Sequence, residues 1–209
     1  MKKSTKYVLW VILVLVSCLI IWVDNKMVVH GDSIEELQQE PPVIVEEQSV
    51  EPRLTAVYTS LGVPNINSSF KTWMDYRTVT NTQSAQYSFI HKWGWCDGEG
   101  FMRANGERDL GITDDYYMIA LGSYYGTTIG TKYRITTDMG NVFYGVLCDL
   151  KDDRHTNQTH QYAGNYDVVE FLVDTRCLNR NVMYTGSANV YMPLNGSISK
   201  IERIDFIKQ

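Results

Sequence analysis

Residues 148–156 read Cys-Asp-Leu-Lys-Asp-Asp-Arg-His-Thr, which gathers three carboxylates, a lysine and a histidine within nine positions. This stretch follows an apolar run, Val142 to Leu147, and opens a polar loop that continues to Tyr166. Loops fixed at both ends by strands commonly carry binding and catalytic groups. Asp149, Lys151, Asp152 and His155 are therefore candidate site residues. A second acid, Glu170, stands inside the run Asp167-Val-Val-Glu-Phe-Leu-Val173. Alternation with period two places Glu170 on one face with Val168 and Leu172, opposite Val169, Phe171 and Val173. In a sheet buried on both faces that carboxyl loses hydration, and its pKa rises. A raised carboxyl suits proton donation near neutral pH. Asp149 would then serve as the base or as a neighbour that tunes Glu170. The competing reading is a solvent-facing glutamate on an edge strand.

Other chemistries find little footing. The sequence holds no phosphate loop, no dinucleotide fingerprint, no Gly-x-Ser-x-Gly, no His-Glu-x-x-His and no Cys-x-x-Cys, so no cofactor and no metal is expected. Asp149, Asp152 and Asp153 supply oxygen ligands for Ca²⁺ but lack the EF-hand spacing. Cys96 or Cys148 with His155 could form a nucleophile–base pair, whereas the plainer reading of each cysteine is a small buried residue. The 209 residues carry 19 Lys and Arg against 24 Asp and Glu, for a net charge of −5. Phosphate backbones need a basic surface, so nucleic acid is not an expected partner.

The elements that must hold these groups read mostly as strand. Tyr116–Leu121 is a short apolar run stopped by Gly122. Lys132–Thr136 alternates with period two, Thr137–Asn141 forms a turn, and Val142–Leu147 returns as the second arm of a hairpin. Asp167–Val173 and Ile198–Phe206 are further strands. The spacing of Phe70, Trp73, Met74 and Arg77 predicts a helix capped by Ser69. Many short strands punctuated by glycine point to a small barrel or sandwich.

Ahead of this domain, expected over 54–209, lie two other segments. Lys2, Lys3 and Lys6 precede 17 uncharged residues, Tyr7 to Val23, with Trp10 and Trp22 near the ends. That pattern predicts a transmembrane signal-anchor over 1–23 with the rest of the chain outside the cell membrane. Leu15-Val-Ser-Cys18 also has the form of a lipoprotein signal, which would attach the chain through Cys18. Residues 24–53 hold eight acidic residues and three prolines but no aromatic residue, so they read as a disordered acidic stalk. Of the remaining cysteines, Cys96, Cys148 and Cys177, an oxidising exterior would pair two and leave one. The sequence does not choose among the three pairings.

Three stretches together carry a resemblance: Gly122-Ser-Tyr-Tyr-Gly126-Thr-Thr-Ile-Gly130-Thr-Lys-Tyr-Arg-Ile135, Asp149-Leu-Lys-Asp-Asp153, and Val168-Val-Glu-Phe-Leu-Val-Asp174. Over about residues 100–180 the chain resembles exported double-psi β-barrel proteins of Gram-positive bacteria. The arrangement is similar to the "3D" domain and to the catalytic barrel of membrane-bound lytic transglycosylases. Phe70–Thr80 is similar to exported proteins of clostridia and phages. The resemblance implies a mainly β fold, a small six-stranded double-psi-type barrel with one or two short helices.

It also implies action on, or binding to, cell-wall glycan, the action being peptidoglycan cleavage by lytic transglycosylation or hydrolysis. By position, Glu170 matches the catalytic carboxylate, which is Asp in the transglycosylases, and Asp149 matches the aspartate after the first barrel hairpin. Asp152 is the nearest counterpart of a second aspartate. Lys151 and His155 would hold substrate or stabilise charge, and Tyr124 and Tyr125, or Trp93 and Trp95, would stack on sugar rings. The alternatives are a non-catalytic glycan-binding module or a protein-interaction module of the cell envelope.

Overall fold

A computed structural model describes residues 54–208. The expected membrane anchor over 1–23, the stalk over 24–53 and the lipoprotein signal at Cys18 lie outside the described residues. Among the described residues, no helix is long and apolar enough to cross a membrane.

The domain is mainly β. Its strands are β1 (Leu54–Leu61), β2 (Trp73–Asp75), β3 (Trp95–Cys96), β4 (Met102–Ala104), β5 (Tyr116–Leu121), β6 (Lys132–Thr137), β7 (Val142–Leu150), β8 (Glu170–Val173) and β9 (Ile198–Lys208). Two short helices, α1 (Ala85–Trp93) and α2 (Arg180–Thr185), complete it. The nine strands form one open sheet with the main order β1-β9-β6-β7-β5-β4-β3, and β8 pairs with both β5 and β2. The count is therefore nine strands where the resemblance implied six.

β5 sits at the centre because all six of its residues are buried. A strand covered on both faces needs a continuous apolar run, and Tyr-Tyr-Met-Ile-Ala-Leu supplies one. It runs parallel to β7 along one edge and antiparallel to β4 and β8 along the other. Tyr117, Ile119 and Leu121 face one core layer with Phe101, Phe143, Leu147, Phe171 and Val173. In that layer the Phe101, Tyr117 and Phe171 rings meet edge to face, 5.4–5.6 Å apart, the arrangement their quadrupoles favour. Tyr116 and Met118 face a second layer with Ile90 of α1, Val146, Cys148 and Leu172.

The hairpin β6–β7 forms as the alternation predicts. β7 runs on through Leu150, so Asp149 stands on a strand rather than in the loop. The helix expected over Phe70–Arg77 is instead strand β2 followed by a single 3₁₀ turn. Trp73 packs against the first core layer and Met74 against the second, the alternation of a strand. Asp75 accepts from the backbone N–H of both Arg77 and Thr175, which ties β2 to the end of β8. The helix lies further on, at α1, where the Ser84 hydroxyl accepts from the Tyr87 N–H as an N-cap.

Candidate functional site

Glu170 opens β8. Across β5 it is opposite Ala120, and Ala120 is in turn opposite Asp149 on β7. On its other edge, Phe171 N–H donates to the Thr72 carbonyl at 2.9 Å, just ahead of β2. Glu170, Ala120 and Asp149 thus form one row across β8, β5 and β7, with Thr72 alongside Glu170 just ahead of β2. Strand spacing separates the Cα atoms of Glu170 and Asp149 by about 10 Å.

Glu170 borders a cavity of about 260 Å³ that Lys151, Asp167, Thr72, Asp152, His155 and Asn165 also line. Lys151 follows the last residue of β7, and its N–H donates to the Leu121 carbonyl at 3.0 Å, which fixes the start of its side chain. The Lys151 ammonium lies 2.6 Å from the Asp167 carboxylate and 3.6 Å from that of Glu170. The Lys151 and Asp167 side chains are 5% and 1% exposed, and that of Glu170 is 24% exposed. Asp167 also accepts from the Thr72 hydroxyl and, at 3.3 Å, from the Thr72 N–H. A buried ion pair persists only when its remaining lone pairs are satisfied, as these are.

Burial pushes the Glu170 carboxyl above its ordinary value; Lys151 opposes the rise, and Asp167 and Asp149 add to it. The expectation of a partly desolvated acid therefore agrees with the geometry. Burial raises Asp149 as well, against the Leu150 N–H and the Gln86 side chain that hydrogen-bond to it. Asp149 shares the row but does not line the cavity.

The remaining expected residues divide. Asp152 lines the cavity, but its carboxylate caps a 3₁₀ turn and grips Arg154 at 2.5 Å. These bonds hold it well below the usual carboxylate range. His155 sits exposed on the cavity rim. Tyr124 is 48% exposed, whereas Tyr125 is 2% exposed in the first core layer. The two rings meet edge to face at 5.1 Å. Tyr125 is thus a core residue and offers no face to a sugar, a correction to its expected role.

Cys148 is fully buried in the second layer, and desolvation raises its thiol, so it makes no pair with the exposed His155. Asp153 accepts from Ser123 at 2.7 Å. Among the described residues the three aspartates 149, 152 and 153 do not form a cation cluster.

The loop that brings His155 and Asn165 to the cavity is pinned from beneath. At Gly122 a Cβ would stand 1.9 Å from the His160 carbonyl oxygen, so only glycine lets the loop lie this close. Two residues of the site escape sequence reasoning. Asp167 had one available signal, an acid at the head of a β-branched run. Thr72 had none, since it arrives through a pairing across 95 residues.

A second cavity, of about 410 Å³, lies at the other end of the same face of β5, against Tyr116. Phe89 and Trp93 of α1, Glu107 and Lys132 line it. Glu107 accepts from both Lys132 and the Tyr116 hydroxyl. Trp95 is exposed on β3 and does not line it.

No protein-family model matches this chain, and no curated protein and no solved structure matches it either.

Proposed function

We propose that this chain is a membrane-anchored, extracytoplasmic β domain that acts on cell-wall glycan, with Glu170 as the group that transfers the proton. One observation carries the reading: a raised, half-buried carboxyl borders an open cavity beside a buried ammonium. Protonated Glu170 would donate to a glycosidic oxygen. The carboxylate left behind would lie 3.6 Å from Lys151, whose charge is held in place by Asp167. It would then take a proton from a sugar hydroxyl as the ring closes.

The other carboxylates in this cavity are committed to nearer cations, Asp167 to Lys151 and Asp152 to Arg154. That favours lytic transglycosylation, which needs a single carboxyl, over hydrolysis, which needs two. The run Tyr7–Val23 supports the anchor and the export. The parallel pairs β5–β7 and β2–β8 within a largely antiparallel sheet support kinship with the double-psi barrels.

A second reading, glycan binding without cleavage, draws on the cavity beside Trp93. Its aromatic wall next to a carboxylate and an ammonium suits a sugar ring and its hydroxyls. Incubating the full chain with purified peptidoglycan separates the readings. Release of anhydro-sugar ends that Glu170→Gln abolishes supports the first. Release of reducing ends points to hydrolysis instead. Binding with no release supports the second, and neither binding nor release overturns both.

A further inference from the structure

We infer that Cys96 and Cys177 are the partners of a structural disulfide, with Cys148 as the unpaired thiol. Their sulfur atoms lie 3.2 Å apart although 81 residues separate them. Both residues are solvent-exposed, while Cys148 is fully buried in the core. That placement decides among the three pairings that the sequence leaves open.

The backbone already holds the two cysteines together from both sides. The turn after Cys96 is tightened by the Asp97 carboxylate, which accepts from the N–H of Glu99 and Phe101 at 3.0 and 2.9 Å. That turn then docks on the segment carrying Cys177. Asp174 N–H donates to the Gly100 carbonyl at 2.8 Å, and Asn179 N–H donates to the Glu99 carbonyl at 2.9 Å. Gly100 has a φ of +87°, and a Cβ there would stand 2.4 Å from the Leu178 Cα, so the approach admits no larger residue. Closing the bridge brings the sulfurs from 3.2 Å to the covalent distance of about 2.05 Å.

A metal site is the rival use of this cluster, since Asp174 stands beside both thiols. Its carboxylate, however, is gripped by Arg176 at 2.8 and 2.5 Å. Two thiolates alone fall short of the four ligands that structural zinc takes.

Closure proceeds by exchange with an external disulfide, such as oxidised glutathione or an oxidised thiol–disulfide oxidoreductase. One thiolate attacks that disulfide and forms a mixed disulfide. The second thiolate then displaces the external sulfur. Two protons and two electrons leave the protein, and the oxidant departs as two thiols. Partial desolvation beside the loop and the neighbouring Cys177 push the Cys96 thiol up to about 12, so the exchange quickens toward alkaline pH.

The test is a non-reducing tryptic map of the full chain after incubation with oxidised glutathione at alkaline pH, with remaining thiols alkylated in denaturant. The four cysteines of the chain fall in separate peptides, Cys18 in Tyr7–Lys26 and the other three in Trp93–Arg103, Ile135–Lys151 and Cys177–Arg180. The expected result is Trp93–Arg103 linked to Cys177–Arg180, with Cys148 alkylated. Alkylation of both Cys96 and Cys177, or Cys148 in any linked peptide, overturns the inference. Melting gives an independent readout. Reduction should lower the Tm of the oxidised wild type by roughly 10 °C, and the C96S/C177S variant should show no redox-dependent change. An unchanged wild-type Tm, or a shift that survives in the double variant, also overturns it. Neither readout uses glycan, so the outcome is separate from that of the proposed activity.

Discussion

The ammonium of Lys151 lies 3.6 Å from the carboxylate of Glu170, within reach of its charge, while the same ammonium lies 2.6 Å from Asp167. Lys151 is thus shared between a fully buried acid and one that borders a cavity. Removing it should strand Asp167 as an uncompensated buried charge. Lys151→Met is expected to cost about 3–5 kcal/mol by urea unfolding. Combining it with Asp167→Leu, which removes both charges, should restore much of that loss.

The pH dependence of stability follows from Glu170. Its folded-state value is raised above the ordinary 4.5. The stability linked to this group is therefore complete below pH 4.5 and lost as pH climbs through the folded-state value. Asp149 is shifted in the same direction. Glu170→Gln should flatten this decline and melt higher than wild type at neutral pH. A Tm series across pH 4–8 for both proteins measures it; identical slopes would remove Glu170 from the account.

If Glu170 donates the proton, Glu170→Gln should lower anhydro-sugar release by at least about 10²-fold, the low end for a lost general acid. Asp149→Asn should leave release within about tenfold of wild type, because Asp149 accepts from the Leu150 N–H and does not line the cavity. Asp174→Asn should leave it unchanged. The check is chromatographic quantitation of released ends with folded variants.

Gly122→Ala should lift the loop that carries His155 and Asn165, since the added carbon would meet the His160 carbonyl oxygen. Overpacking of this kind costs about 1–3 kcal/mol. Faster proteolysis confined to 152–166 would show it.

Much of the frame is legible in sequence because each part announces itself locally. Tyr116–Leu121 is an unbroken apolar run, and Lys132–Thr136 alternates strictly; both form strands with the expected bounds or nearly so. The place of Glu170 on a buried strand follows from the same periodicity. Phe70, Trp73, Met74 and Arg77 mislead because a helical spacing of four residues is also met by chance in a strand and turn. Only the core reveals that adjacent Trp73 and Met74 face opposite layers. The Thr72–Asp167 contact and the approach of Cys96 to Cys177 depend on pairings 95 and 81 residues apart, for which local patterns carry no signal.

β8 is only four residues long, yet it is held by a parallel neighbour on one edge and an antiparallel one on the other. A slip of one position along either would turn Glu170 in among the Phe101, Tyr117 and Phe143 rings and move Phe171 to the face that holds Leu172 and the cavity. The placement of the carboxyl at position 170 is therefore set by the pairing of β8 on both edges. Changes to the aromatic interior that loosen this register would therefore carry the acid away from its cavity.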